Sequence, residues 1–214
     1  MGETYTRPEF VEKYGGFISY AVRGTGIHEG TLVAQAVLES QGKVGNVYKV
    51  GGSKLSREAN NFFGIKCHNW SGKGYNIDTG EQMPDGTKYT EKSSCFRAYN
   101  SVEDSIADYV KFLKENPRYE KAGVFDAPDV ASQAQALKDA GYATAANYAG
   151  TVTGIYDSLK DYIDKYSTYG IKGIAKSFAH DPIAFVKRNK WAVGITAVAL
   201  VGIGVGIYFL VRKK

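Results

Sequence analysis

Residues 75–99 read YNIDTGEQMPDGTKYTEKSSCFRAY. Tyr75, Ile77, Tyr89 and Phe96 are set among polar residues, and Pro84, Asp85 and Gly86 interrupt them with turn chemistry, proline fixing φ and glycine supplying positive φ. With Trp70 and the preceding NNFFGIKC (residues 60–67), the stretch predicts a β-hairpin or small sheet. On both sides the apolar spacing turns helical. Upstream, residues 8–22 place Phe10, Val11, Tyr14, Phe17, Ile18 and Val22 near a 3.6-residue period, and LVAQAVLES (residues 32–40) turns Leu32, Val33, Ala36 and Val37 inward. Residues 43–60 are polar and glycine-rich and read as an irregular loop. Downstream, Ser101 followed by Glu103 and Asp104 marks a helix start, and that helix ends before Pro117. Another helix follows Asp126, Ala127 and Pro128 and stops at Gly141. The last, residues 145–166, carries Tyr148, Val152, Ile155, Tyr156, Leu159, Tyr162, Ile163 and Tyr166 on one broad stripe that reads as core. A hairpin between two groups of helices is an α+β architecture.

The chain has 214 residues and 23.3 kDa, 43% hydrophobic and 23% charged, which fits one globular domain of ordinary size plus an appendage. Its 25 glycines have no three-residue period and there are 5 prolines, which excludes collagen-like and low-complexity classes. Two cysteines, Cys67 and Cys95, exclude a disulfide-dense scaffold. The net charge of +5 is unevenly spread. Residues 1–166 hold 19 Lys and Arg against 21 Asp and Glu, whereas residues 167–214 hold 8 against 1. The basic excess belongs to the tail, the body is nearly neutral, and no nucleic-acid partner is expected.

That tail contains WAVGITAVALVGIGVGIYFLV, residues 191–211, which carries no charge. As a helix it spans about 31 Å, against a hydrocarbon core of about 30 Å. Lys187, Arg188 and Lys190 stand before it, Arg212, Lys213 and Lys214 after it, and Trp191, Tyr208 and Phe209 lie where aromatic rings favour the headgroup level. One transmembrane helix is expected, with a lipid bilayer as partner. Gly202 and Gly206 form a GxxxG that permits self-association, although a glycine-rich span yields one by composition alone. Basic residues on both sides leave the orientation open. Residues 167–190 read as a basic, weakly amphipathic connector and residues 212–214 as a basic tail. MGETYTRPEF has no hydrophobic run, so no secretory signal is expected there.

Chemistry is sparse. His28, His68 and His180 are far apart, neither cysteine belongs to a CxxC, and no glycine-rich loop opens a helix after a strand, so no metal, nucleotide or other cofactor is expected. No nucleophile elbow is present for a Ser/His/Asp triad. Carboxylates remain. Glu39 ends the apolar helix, where a hydrophobic wall would favour its neutral form and suit it to general acid catalysis near neutral pH. An ordinary surface glutamate at a helix end is the alternative. Cys67 and Cys95 bracket the hairpin, either as a disulfide formed in an oxidising compartment or as two buried thiols.

Six stretches, AQAVLES, NNFFGIKC, WSGKGY, CFRAYNSVEDSIADYVKFL, ENPRYEKA and LKDAGYATAANYAGTVTGIY, follow one another over residues 8–166. In that order and spacing they resemble the peptidoglycan-cleaving β-N-acetylglucosaminidases of glycoside hydrolase family 73, the cell-wall-cutting domains of flagellar muramidases and phage endolysins. The resemblance implies a lysozyme-like fold for residues 1–166, with a helical lobe, a hairpin lobe and a glycan cleft between them. It puts Glu39 at the family's general acid. It also implies a second acidic residue in the hairpin, for which Asp78, Glu81, Asp85 and Glu91 are candidates and Glu81 fits best. Tyr142 matches a recurrent tyrosine expected to hold the acetamido group or the water. The family often has Asp where this chain has Ala145. Asn61, Phe63, Trp70, Tyr75 and Tyr148 are candidate cleft residues, flat rings stacking on sugars and the amide bonding their hydroxyls, with core packing as the alternative for each.

The expected function is therefore a membrane-anchored peptidoglycan hydrolase cutting the β-1,4 bond after N-acetylglucosamine in glycan strands. The membrane of a bacterial virus particle is the favoured setting, with virion structural proteins as possible neighbours, and a bacterial envelope is the alternative. The rival readings are a lytic transglycosylase and a non-catalytic protein that grips the wall.

Overall fold

The computed structural model describes residues 2–82 and 87–180, with backbone alone at residues 81, 82, 88, 89 and 167–180. Residues 1–170 form one compact unit and residues 171–214 a second, of which the described residues 171–180 are helical. The stretch expected to cross a membrane, residues 191–211, lies outside the described residues, among which no helix is long and apolar enough to span a bilayer.

The first helix, α1 (Arg7–Ala21), starts one residue earlier than its apolar pattern because Thr6 caps it in a reciprocal box with Glu9. It buries Phe10, Val11, Tyr14 and Ile18 against α2 (Glu29–Ser40). That second helix is the centre of the unit: Leu32, Val33, Ala34, Ala36 and Val37 are all fully buried. It begins three residues before the expected start because the Gln133 side chain, itself buried, accepts from the His28 backbone N–H and donates to the carbonyls of Gly26 and Val124. Gly30 is required there: a Cβ would stand 2.5 Å from the Tyr156 ring of the last helix.

Residues 43–60 are not an irregular loop. They hold most of a two-stranded sheet, β1 (Gly42–Val44) antiparallel to β2 (Val47–Lys49), and a helix, α3 (Lys54–Ala59), capped by Ser53. The expected hairpin is present as β3 (Gly74–Gln82) and β4 (Lys88–Arg97), antiparallel from Gly74 opposite Arg97 to Gln82 opposite Lys88, with an irregularity beyond Ile77. At its base Cys67 and Cys95 form a disulfide, with Cα atoms 5.4 Å apart. The Cys67 N–H also donates to the Cys95 carbonyl at 2.8 Å.

The helix after the hairpin, α4 (Val102–Glu115), is capped by Ser101 and buries Ile106, Tyr109 and Leu113. A short α5 (Pro117–Lys121) follows it, and α6 (Val130–Asp139) is capped by Asp129 and ended by Gly141 at φ +77°. The last helix, α7 (Tyr148–His180), continues well past residue 166. Its core stripe is narrower than expected: Tyr148, Val152, Ile155, Leu159 and Ile163 are buried, whereas Tyr162 is 42% exposed.

Candidate active site

A cleft of about 650 Å³ runs along the hairpin and the ends of the helices. Its walls include Glu39 from α2, Phe63 and Ile65 from the loop after α3, Thr79 and Gly80 of β3, Phe96 of β4, Phe112 of α4, Arg118 and Tyr119 of α5, and Tyr142. Among these described side chains Glu39 is the single carboxylate.

Glu39 occupies the last turn of α2, and that end is pinned. The Ser40 hydroxyl donates to the Ala36 carbonyl and accepts from the Gly51 N–H at 3.0 Å, while the Ser53 N–H donates to the Ser40 carbonyl at 2.9 Å. Behind the carboxyl lies a wall of rings. Phe63 stacks on Tyr109 at 4.1 Å between centroids, and Tyr142 meets Tyr109 at 5.9 Å and Tyr148 at 6.0 Å. With so little water on that side the charged carboxylate is disfavoured, and burial pushes Glu39 up to about 7, against the pull of a hydrogen bond from the Tyr148 hydroxyl.

That hydroxyl is itself oriented. The fully buried Gln35, one turn before Glu39, accepts from the Tyr109 hydroxyl and donates through Nε2 to the Tyr148 oxygen at 2.7 Å. With its oxygen accepting from Gln35, Tyr148 has its proton free for Glu39. Tyr148→Phe removes this donor, so Glu39 should hold its proton to still higher pH. The alkaline limb of kcat/KM is then expected to move upward, with kcat near neutral pH falling by about tenfold or less. A full pH–rate profile of the variant checks this, and an unmoved limb would separate Tyr148 from the acid.

The other expected site residues fall into two groups. Phe63, Tyr142 and Tyr148 converge with Glu39; the Tyr142 hydroxyl donates to the Phe63 carbonyl at 2.8 Å, leaving its oxygen to accept. Asn61, Trp70 and Tyr75 do not line the cleft. Asn61 is buried, its amide donating to the Ile65 and Arg97 carbonyls and accepting from the Phe63 and Ile65 N–H groups, so it fastens the loop to β4. Trp70 donates to the Lys73 carbonyl and lies against Arg97, which pairs with Asp108 at 2.8 Å; Tyr75 donates to Glu58.

Of the hairpin carboxylates, Asp78 accepts from the Ser93 N–H and pairs with Lys92, both at 2.9 Å, and these partners hold it below the usual carboxylate range. Glu91 pairs with Lys66 at 2.7 Å and is likewise lowered. The backbone of Glu81 stands opposite Tyr89, next to the cleft-lining Gly80; its side chain is not described, and Asp85 lies outside the described residues. Among the described residues no cluster of His, Cys, Asp and Glu could hold a metal ion.

The family profile for mannosyl-glycoprotein endo-beta-N-acetylglucosaminidase matches residues 17–161. The chain belongs to the glucosaminidase family. Within this family of glycoside hydrolases it is 35% identical over 153 residues to the peptidoglycan hydrolase FlgJ of Escherichia coli, covering 71% of this chain and 46% of that protein. It is 28% identical over 160 residues to the exo-glucosaminidase LytG of Bacillus subtilis, covering 73% of this chain and 52% of that one. The chain spans about half the length of the curated relatives it matches. Among solved structures, the glycoside hydrolase domain of Salmonella typhimurium FlgJ superposes with a TM-score of 0.52 at 30% identity, covering 79% of this chain and 98% of that one. A peptidoglycan hydrolase from Sphingomonas sp. A1 superposes with a TM-score of 0.58 at 28% identity, covering 74% and 94%. The glucosaminidase fold seen here is thus the lysozyme-like one, mostly helical with small sheets.

Sequence reasoning passed over Gln35, Tyr109, Phe112, Arg118 and Tyr119. Gln35 alone left a signal: a polar residue within apolar LVAQAVL, four before Glu39 and so on the same helix face.

Proposed function

We propose that the chain is a peptidoglycan hydrolase that cleaves the β-1,4 bond following N-acetylglucosamine, with Glu39 as general acid. One observation carries this reading: in a glucosaminidase-family chain, a carboxyl on the cleft wall is pushed by burial up to about 7. Such a group is protonated when a glycan arrives near neutral pH and can deliver that proton to the leaving glycosidic oxygen. Water then reaches the anomeric carbon with the help of either Glu81 or the substrate's own acetamido oxygen. Tyr142, whose hydroxyl proton is committed to the Phe63 carbonyl, would accept from the acetamido N–H or from the water. Phe63 and Tyr119, both buried, form the apolar floor of the cleft.

The single described carboxylate of the cleft also favours a second reading, a lytic transglycosylase, which needs one acid and forms an anhydro-sugar. Digestion of purified peptidoglycan, with the products reduced and read by mass spectrometry, decides between them. Fragments ending in reducing N-acetylglucosamine are expected; anhydro-muramic ends would assign the transglycosylase, and no fragments would leave a wall-gripping protein.

In this reading residues 191–211 anchor the enzyme in a bilayer, and a virus particle with a membrane is the setting, a bacterial envelope being the alternative. The uncharged 21-residue run supports the anchor, and the disulfide and the extracellular glycan support an oxidising exterior. Flotation with lipid vesicles, lost when residues 191–214 are removed, tests the anchor; flotation unchanged by that truncation would dismiss it.

A further inference from the structure

Arg118 stands on the cleft wall, and among the described residues it has no acidic partner. Its guanidinium lies over the Tyr119 ring, 4.8 Å from the centroid, and Nη2 donates to the Tyr119 hydroxyl at 2.8 Å. Tyr119 is fully buried, so the arginine, which lines the cleft and is exposed, rests on a fixed support. Lys66, the other long cation of the cleft, is paired with Glu91 at 2.7 Å, whereas among the described residues no carboxylate pairs with Arg118. The one described carboxyl nearby, Glu39, is the proposed acid.

A neutral sugar offers a fixed guanidinium single, uncharged acceptors. A carboxylate matches it, because the planar fork donates two parallel N–H bonds to two oxygens. Tyr119 occupies one Nη2 hydrogen, and the remaining donors on Nη1, Nη2 and Nε stay available. The fork is already ordered by stacking, so little side-chain freedom is lost on binding. Chains of N-acetylglucosamine alone carry no such group. Peptidoglycan does, on its stem peptides and, where these have been removed, on the lactyl ether of muramic acid.

We propose that Arg118 is an anion subsite that reads a carboxylate of the peptidoglycan strand and so separates this substrate from uncharged glycans. The inference rests on the peptidoglycan reading above, and its test is binding, which does not need turnover. The full chain carrying Glu39→Gln is titrated with four tetrasaccharide probes: one bearing stem peptides, one stripped of peptide so that the lactyl carboxylate is free, and each of these with its carboxylates converted to amides. At least one carboxylate form is expected to bind roughly tenfold more tightly than its amide, the size of one charge-assisted fork. The form that shows the preference identifies the source of the carboxylate. Adding Arg118→Gln should bring the ratio to about one while the amide's affinity stays unchanged, and Arg118→Lys should keep part of the preference. Equal affinity for acid and amide forms in the Glu39→Gln chain, weakening of both forms alike by Arg118→Gln, or no binding of any probe would each overturn the proposal. A wild-type chain that cuts no peptidoglycan yet shows the preference would end the hydrolase reading and leave the anion subsite standing.

Discussion

Glu39→Gln is expected to lower kcat on purified peptidoglycan by roughly 10³-fold near neutral pH while leaving the chain folded. The amide keeps the shape of the carboxyl and an oxygen for the Tyr148 hydroxyl, but it has no acidic proton to give. Retention of more than about a tenth of wild-type turnover would remove Glu39 from the acid's role. The same substitution has a second, independent signature in stability. The carboxyl titrates at about 7 in the folded chain against 4.5 when unperturbed, so the folded state holds the proton more tightly than the unfolded one. Below pH 4.5 both states are protonated and Glu39 contributes nothing. From there the burial penalty grows with pH until the folded group ionises near 7, and above that it is constant. Glu39→Gln escapes this penalty. It should therefore be the more stable protein above neutral pH, by on the order of 3 kcal/mol at most since the site is partly open to water, with the advantage gone in acid. Urea unfolding at several pH values measures the difference. Glu29 is also pushed by burial up to about 7, so the wild-type chain carries a second loss in the same pH window.

Replacing both Cys67 and Cys95 by serine is expected to cost about 3–4 kcal/mol of stability, the loop-closure entropy of a bridge spanning 28 residues of separation. The loss should be read as a lower urea midpoint, and reduction of the wild type should reproduce it. The hairpin also hangs on backbone bonds, including Cys67 N–H to the Cys95 carbonyl at 2.8 Å, so partial order is expected to survive. Gly74 shows how closely the bridge is packed, since a Cβ there would lie 2.7 Å from the Cys95 sulfur. Because Thr79, Gly80 and Phe96 of this hairpin form one side of the cleft, turnover should fall along with stability. A change under about 1 kcal/mol would mean that the sheet and the Asn61 clasp hold the lobe without the bridge.

Long periodic elements were legible in the sequence and short ones were not. The helix marked by Ser101, α4, and the helix expected between Pro128 and Gly141, α6, lie where their patterns put them, and so does the hairpin. The three-residue strands of β1 and β2 show no alternation that could be detected, and the five-residue α5 begins at Pro117, which reads first as a stop. For α7 the change of composition after residue 166 looks like a boundary, yet it contains no helix breaker stronger than single glycines. In the site, Glu39 stood out because a charged residue closes an apolar run. Phe63, Tyr142 and Tyr148 converge on it through contacts between distant elements, which periodicity does not reveal. Asn61 spends its amide on backbone groups, and Trp70 and Tyr75 lie outside the lining of the cleft. Arg118 lay in ENPRYEKA, a stretch that carried the family resemblance but in which no site residue was singled out.

The buried line from Tyr109 through Gln35 to Tyr148 makes the strength of the acid adjustable from behind. A change at Gln35, which does not line the cleft, alters whether the one hydroxyl proton of Tyr148 is directed at Glu39. With Glu39 as the proposed acid, working pH and substrate fit would rest on different residues. Selection, or an engineer moving this enzyme between acidic and alkaline surroundings, can retune one while leaving the other as it is.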